Sequence, residues 1–402
     1  MADAATVFEQ QVAALMQAGT YPVRVNRIRA VPTHMALVFL TEHHAWKLRR
    51  PRHHGRIDFH SRQARLQDAV QEWRLDACFA PGVCLGIAGL QQQHGRWILR
   101  SPRAGRSLAP DHFLGEPVVW MRRLPSRGFM DQMIRSGRLR PWHIRALLTR
   151  FAALHGQRPR SEISAENAHE LAGRRRDAVL HALRRPIYGQ NTALLAELAV
   201  RLRASADRQA PLIAQRIRGG RMRDGHGDLR PEHVGLEGAW ARETGPLFID
   251  ALEFDAGLRQ LDGMDEVAGL SVECDFLGAP WVSEQMRADW LARDGLGSRP
   301  LWAHFAANRA LTRSLHAAWH LSRRPASGGH DTGGRAHESN GQRHDYRAHA
   351  HAHAHAHAHA HAHAPDAAAA PQVDPQGPPR DWSARAHQWL LLAREHLRRA
   401  EA

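Results

Sequence analysis

Between residues 223 and 255 the chain reads RDGHGDLRPEHVGLEGAWARETGPLFIDALEFD. Its heart is the charged turn His226-Gly227-Asp228-Leu229-Arg230-Pro231-Glu232-His233, which runs into the apolar residues Val234 and Leu236. A second strand-like run, Pro246-Leu247-Phe248-Ile249, delivers Asp250 at its end. The order strand, charged loop, hairpin, strand, acid predicts two carboxylates, Asp228 and Asp250, at neighbouring ends of paired strands. The tripeptide His226-Gly227-Asp228 alone would be no more than a turn. A register kept over eight residues, followed by an acid after the next strand, is the pattern of a site.

Two carboxylates so placed suit phosphoryl transfer from a metal–nucleotide. One orients the attacking hydroxyl and accepts its proton, and the other carries Mg²⁺ on the phosphates. The protein-kinase catalytic loop is written H-R-D-L-x-x-x-N and is followed downstream by a metal-binding Asp. His226, Asp228, Leu229 and Asp250 fill matching places, and Gly227 in place of Arg resembles the aminoglycoside phosphotransferase branch of the kinase-like superfamily, whose loop reads HGD. Arg230 and Pro231 stand where protein kinases commonly have Lys and Pro. His233 stands where they have the metal-binding Asn.

Composition bounds the rest. The 402 residues suffice for two lobes and a large core. No apolar run approaches the ~20 residues that span a bilayer, and Met1-Ala2-Asp3-Ala4-Ala5 lacks a secretory signal's basic segment. Three scattered cysteines make neither a disulfide framework nor a zinc site, so a cytoplasmic location is expected. The formal charge of +15 comes from dispersed arginines without an aromatic-interleaved basic face, so nucleic-acid binding is not expected. Of the 55 basic residues, 54 are arginine and one is a lysine, Lys47. A compact ammonium and a planar guanidinium are not interchangeable at a phosphate, which makes the exception informative.

Residues 5–18 predict a short amphipathic helix, and Val31 to Leu40 a strand. After the polar turn Thr41-Glu42-His43-His44, Lys47 lies on the return strand. Kinases keep there the Lys that holds the α- and β-phosphates and pairs with a Glu on the next helix. Ser61 caps a predicted helix that Pro81 stops, and Glu72 on its flank is the chosen partner, with Asp68 and Asp76 as alternatives. Strands follow at Val83–Leu90, Trp97–Arg100 and Val118–Met121. In a kinase layout, backbone at about Met121 to Arg123 would receive the adenine edge.

Together with His34, Val38-Phe39-Leu40, Pro51, Asp58-Phe59, Met121-Arg122-Arg123-Leu124-Pro125 and Glu253-Phe254, these residues resemble bacterial aminoglycoside-phosphotransferase-like proteins of unassigned substrate. The likeness covers roughly residues 20–320. Some such proteins carry a C-terminal P-loop domain, but no G-x-x-x-x-G-K-[ST] occurs here. The resemblance implies a two-lobed α+β kinase-like fold: an N-terminal helix (1–22), a β-rich N-lobe (23–123) and a helical C-lobe (124–324). In the C-lobe, helices are expected at 128–156 (two), 165–184, 191–203, 265–278, 282–293 and 301–322. A linker (325–380) and a C-terminal helix packing back on the C-lobe (381–402) complete the chain.

The resemblance further implies ATP with Mg²⁺, or Mn²⁺ in its place, and a small-molecule hydroxyl acceptor. Asp228 would be the base, Asp250 the principal metal ligand, Lys47 the phosphate clamp and Arg230 a γ-phosphate contact, while His233, in the place of the second metal ligand, would hold metal weakly, prefer Mn²⁺, or contact phosphate instead. Two departures favour a second reading, a kinase-fold protein that holds nucleotide without transfer. Imidazole suits softer metals than Mg²⁺, and Val25–Ala36 contains no glycine for a phosphate-binding loop. A third reading, metal handling, rests on the strict Ala-His alternation from Ala348 to Ala364, whose eight histidines could bind divalent transition metals within an expected disordered stretch.

Overall fold

The computed structural model describes residues 4–33, 35–54, 57–100, 114–323 and 381–401. His34 and the 325–380 stretch with its Ala-His tract lie outside the described residues.

The N-lobe opens with α1 (Ala4–Leu15), followed by β1 (Arg29–Pro32), β2 (Ala36–Leu40) and β3 (His44–Arg49). The single strand expected over Val31–Leu40 is divided. Pro32 ends β1, and Thr33 closes a tight turn in which its hydroxyl accepts from the Ala36 N–H at 2.8 Å. After the short β4 (His53–His54) and β5 (Ile57–Asp58) come α2 (Arg62–Phe79), β6 (Cys84–Gln93), β7 (Arg96–Arg100) and β8 (Glu116–Arg122). The main sheet has the order β1-β2-β3-β8-β6-β7 and is antiparallel throughout.

Side chains alternate across a strand, so β3 sorts its residues by parity. Trp46 and Leu48 enter a core with Leu15, Tyr21 and Phe39 on the α1 side. Ala45 joins Leu66, Ala69, Val38 and Met121 on the α2 side. Lys47 has the parity of Ala45, as does Arg49, and both are therefore directed toward α2. Because both faces are covered, even these two charged residues are fully buried.

A short segment after β8 leads into the C-lobe. A small apolar cluster of Val83, Leu124, Phe129, Leu247 and Ile249 joins the lobes. The C-lobe helices are α3 (Met130–Arg135), α4 (Pro141–Gln157), α5 (Ala165–Leu183) and α6 (Thr192–Arg218). The helix expected to end at residue 203 thus continues for four more turns. Pro211 lies inside it, and its buried stripe from Leu194 through Leu202 to Gln209 shows that tertiary packing outweighs the missing N–H.

β9 (Met222–Asp224) leads into the charged loop, then β10 (Val234–Gly235), α7 (Ala239–Thr244) and β11 (Leu247–Phe248). β12 (Gln260–Asp262) pairs with β9, and α8 (Gly263–Phe276), α9 (Pro280–Arg293) and α10 (Arg299–Trp319) form the centre of the lobe. α11 (Trp382–Glu401) lies against α10: Trp389 stacks on Phe276 at 4.0 Å, and the Ser314 hydroxyl donates to the Ala386 carbonyl at 2.9 Å. No described helix is long and apolar enough to cross a membrane.

Candidate active site

The first half of the site is a buried ion cluster between β3 and α2. Lys47 Nζ donates to Glu72 Oε1 at 2.9 Å and lies 3.8 Å from Glu253 Oε1. Ser61 starts α2 by accepting from the Ala64 N–H at 3.1 Å, and this start fixes the helical phase that brings Asp68 and Glu72 to the sheet. One guanidinium nitrogen of Arg49 reaches Asp68 at 2.5 Å, Glu72 at 2.7 Å and Glu253 at 2.5 Å. These three carboxylates lie close enough to hold a metal ion. The Arg49 guanidinium already stands among them and, with Lys47, offsets much of their charge.

Burial works against the charge on Lys47, and so does Arg49. Glu72, Glu253 and Asp250 outweigh both and raise its pKa. Burial, then Glu72 and Asp250, pushes the Asp76 carboxyl well above the usual carboxylate range.

The second half is the loop. Gly227 takes φ +84°, and a Cβ there would stand 2.8 Å from Leu252 Cδ1, so both the conformation and the space call for glycine. The His226 Nε2 lies 2.9 Å from the Ile249 carbonyl. A carbonyl can only accept, so Nε2 carries the proton. Nδ1 is then left to accept from the Asp228 N–H at 3.3 Å. One ring thus ties the backbone of Asp228 to the residue before Asp250. Burial, aided by His233, pushes the His226 pKa down to about 4, which keeps the ring neutral and this tautomer fixed. Asp250 itself sits at φ +62°, a left-handed conformation uncommon outside glycine, held by these flanking bonds.

His233 stands between the two acids. Its Nδ1 is 2.8 Å from the Asp228 carbonyl and therefore donates to it. Its Nε2 faces Asp250 Oδ2 at 3.6 Å. That distance is long for a hydrogen bond and of the kind shared by two ligands on one cation with bonds of about 2.1 Å each. Asp250 and His233 therefore fit a divalent metal, and their mixed O and N donors favour Mn²⁺ over Mg²⁺.

Asp228 is fully buried, with Oδ1 3.1 Å from the Arg309 guanidinium. Arg230 is buried and ion-paired to Glu232, with Glu273 4.0 Å from its Nε. Burial opposes its charge, but Glu232, Asp228 and Glu273 hold it protonated. To contact a phosphate it would have to exchange partners. Met121 is buried in β8 opposite Ala45. The N–H of Arg122 donates to Val83 and that of Arg123 to His43, both at 2.8 Å, so these two backbone donors between the lobes are already engaged.

Two contributors escape sequence reasoning. Glu266, near the start of α8, accepts from the His226 N–H at 2.9 Å and the Gly227 N–H at 2.7 Å, and so clamps the loop. Arg309 reaches Asp228 from α10, eighty-one positions along the chain. An acid opening the helix after β12 is a weak local signal for the first. No local signal exists for the second.

No protein-family model matches the chain. It is 26% identical over 288 residues to an uncharacterized protein of Mycobacterium tuberculosis and, equally, to one of Mycobacterium bovis. The match takes in 70% of this chain and 53% of each relative, so the chain spans about half the length of the curated relatives it matches. Among solved structures it is similar to the GDP complex of aminoglycoside 2′-phosphotransferase-IIIa, at 14% identity and TM-score 0.46, over 78% of this chain and 93% of that one. It is also similar to a choline/ethanolamine kinase family protein from Mesorhizobium loti, at 13% identity and TM-score 0.43, over 89% and 98%. A six-stranded antiparallel sheet with a lysine tied to the glutamate of one long helix, joined to a helical lobe bearing an HGD loop, is the chain's own architecture. The chain thus has a two-lobed α+β fold, an antiparallel β N-lobe with one long helix joined to a helical C-lobe.

Proposed function

We propose that this protein transfers the γ-phosphate of ATP to a hydroxyl of a small molecule. The observation that carries this reading is the setting of its one lysine: buried, bonded to Glu72 at 2.9 Å, and 3.8 Å from Glu253, three residues after Asp250. A solitary ammonium placed between the helix acid and the segment of the second loop acid suits a phosphate clamp. An incoming phosphate would take the place of the Glu253 carboxylate at Nζ, while Arg49 keeps hold of Glu253.

Asp228, paired with the Arg309 guanidinium at 3.1 Å, orients the acceptor hydroxyl and takes its proton as the oxygen leaves it. Asp250 and His233 would hold the divalent ion, which supplies charge neutralisation on the phosphate oxygens when bound. Three cysteines without a disulfide among the described residues suit a reducing cytoplasm.

One observation favours a second reading, nucleotide binding without turnover: the His233 imidazole fills the space between Asp228 and Asp250, at 3.7 and 3.6 Å.

Thermal unfolding with Mg·ATP and with Mn·ATP tests both readings. A ligand at a hundredfold excess over its Kd stabilises the folded state by about 2.7 kcal/mol. The wild type is expected to shift with Mn·ATP, while Lys47→Ala and Asp250→Ala lose the shift. No shift with either metal would remove the nucleotide from both readings, and a shift without ADP formation over any acceptor would favour the second.

A further inference from the structure

A cavity of about 820 Å³ lies in the C-lobe between α5, α6 and α10, closed on one side by the loop and β12. That is within the range of sites that hold small organic molecules. Its walls are mainly apolar, with Leu171, Val179, Ile213, Leu258, Phe305 and Leu311 among them. At one end it reaches Gly227 and Leu229, the neighbours of Asp228, and Arg309, whose guanidinium is 3.1 Å from the Asp228 carboxylate. We infer that this cavity is the acceptor subsite and that the acceptor is an uncharged alcohol with a largely apolar body, its hydroxyl directed to Asp228 past Arg309. The inference rests on the phosphotransferase reading for the word acceptor, but the cavity's preference stands on its walls alone.

The polar groups on those walls are suited to a neutral ligand. His304 is tied to the Ser205 hydroxyl at 3.0 Å, and burial pushes its pKa down to about 4, so it is uncharged at pH 7. Asp265 is pushed up to about 7 by burial and by the charges of Asp262 and Glu266. Burial likewise pushes Glu266 up to about 7, and its two N–H donors only partly oppose that. The remaining acids, Glu166 and Asp207, are exposed, and Arg175 and Arg176 line the cavity with them. A polycation would meet three arginines among four acids, two of them held partly protonated by burial, so the walls offer it no strongly anionic site. An apolar body loses water contact on entry and gains accordingly.

In the transfer, the alcohol oxygen bonds to the γ-phosphorus. The bond from that phosphorus to the β,γ-bridging oxygen breaks, its electron pair leaves with ADP, and the hydroxyl proton passes to Asp228.

The test uses the full chain with Nile red as a neutral apolar probe, and 1-decanol and kanamycin as competitors. Nile red is expected to bind one-to-one, with 1-decanol displacing it and kanamycin not. Ala210→Phe on α6 and Ala168→Phe on α5, which fill the cavity, should each weaken the probe at least tenfold and leave the Mn·ATP thermal shift intact. Phosphate monoester should then form with Mn·ATP from a mixture of straight-chain and cyclic alcohols, read by phosphorus NMR. Displacement by kanamycin ahead of 1-decanol, or unchanged probe affinity in both variants, overturns the apolar assignment. Displacement by 1-decanol with a Mn·ATP shift but no ester overturns the acceptor role. Displacement by 1-decanol with no Mn·ATP shift overturns the phosphotransferase reading instead and leaves an apolar binding site.

Discussion

His233 concentrates the chemistry of the site in one ring. With Nδ1 donating to the Asp228 carbonyl, its Nε2 is turned toward Asp250 Oδ2 at 3.6 Å. Replacing it by Asn restores an oxygen donor at the cost of the imidazole. His233→Asn is therefore expected to lower Mn²⁺ affinity roughly tenfold or more while improving Mg²⁺ relative to Mn²⁺, read from metal titrations of the ATP thermal shift. An unchanged Mn²⁺ to Mg²⁺ ratio would take His233 out of the metal site. This residue was visible in the sequence because the loop motif names its place. Lys47 was visible through its rarity and its place on the return strand of a hairpin. Glu266 and Arg309 were not, because their roles are set by where α8 and α10 dock, and docking leaves no trace in local spacing.

At the level of elements, β3, α2 and the segment after β11 are held together by one side chain. Arg49 ties Asp68 and Glu72 of α2 to Glu253, and so links the N-lobe helix to the C-lobe segment after β11. Removing one partner from a buried ion group leaves uncompensated charge, at a cost of about 3–5 kcal/mol. Arg49→Met is expected to lose that much in chemical denaturation, with Arg49→Lys recovering part of it. A loss below about 1 kcal/mol would mean that the acids are protonated and do not need the guanidinium.

α2 itself was legible from its Ser61 cap and the Pro81 stop, and the structure places it at Arg62–Phe79. The length of α6 was not. Its second half carries Pro211, which a propensity reading takes as a break, and only the lobe packed against it shows otherwise. The short β1–β2 turn was misread in the opposite sense, as continuous strand, because Thr33 and Met35 interrupt neither the apolar pattern nor the β-propensity.

The whole molecule carries two opposed sets of buried titratable groups. Burial lowers His155, His226 and His304 to about 4 each. The unfolded chain binds those protons first, so their contribution is full above about 6.5 and is lost as pH falls toward 4. Asp265 and Glu266 are raised to about 7, so their contribution is full below about 4 and is lost as pH rises through 7. Asp265→Asn deletes one member of the second set. Its midpoint should therefore gain on the wild type as pH is raised from about 4 to about 7, measured by thermal unfolding across that range. Parallel curves would place Asp265 in water.

The arginine bias has a further consequence at this scale. Every basic side chain outside the site is a guanidinium, and the one ε-amine is sealed between the sheet and α2. Acylating reagents, and enzymes that attach groups to lysine, find no side-chain amine on the folded surface. For this protein, susceptibility to lysine modification and opening of the buried Lys47–Glu72 cluster are a single event.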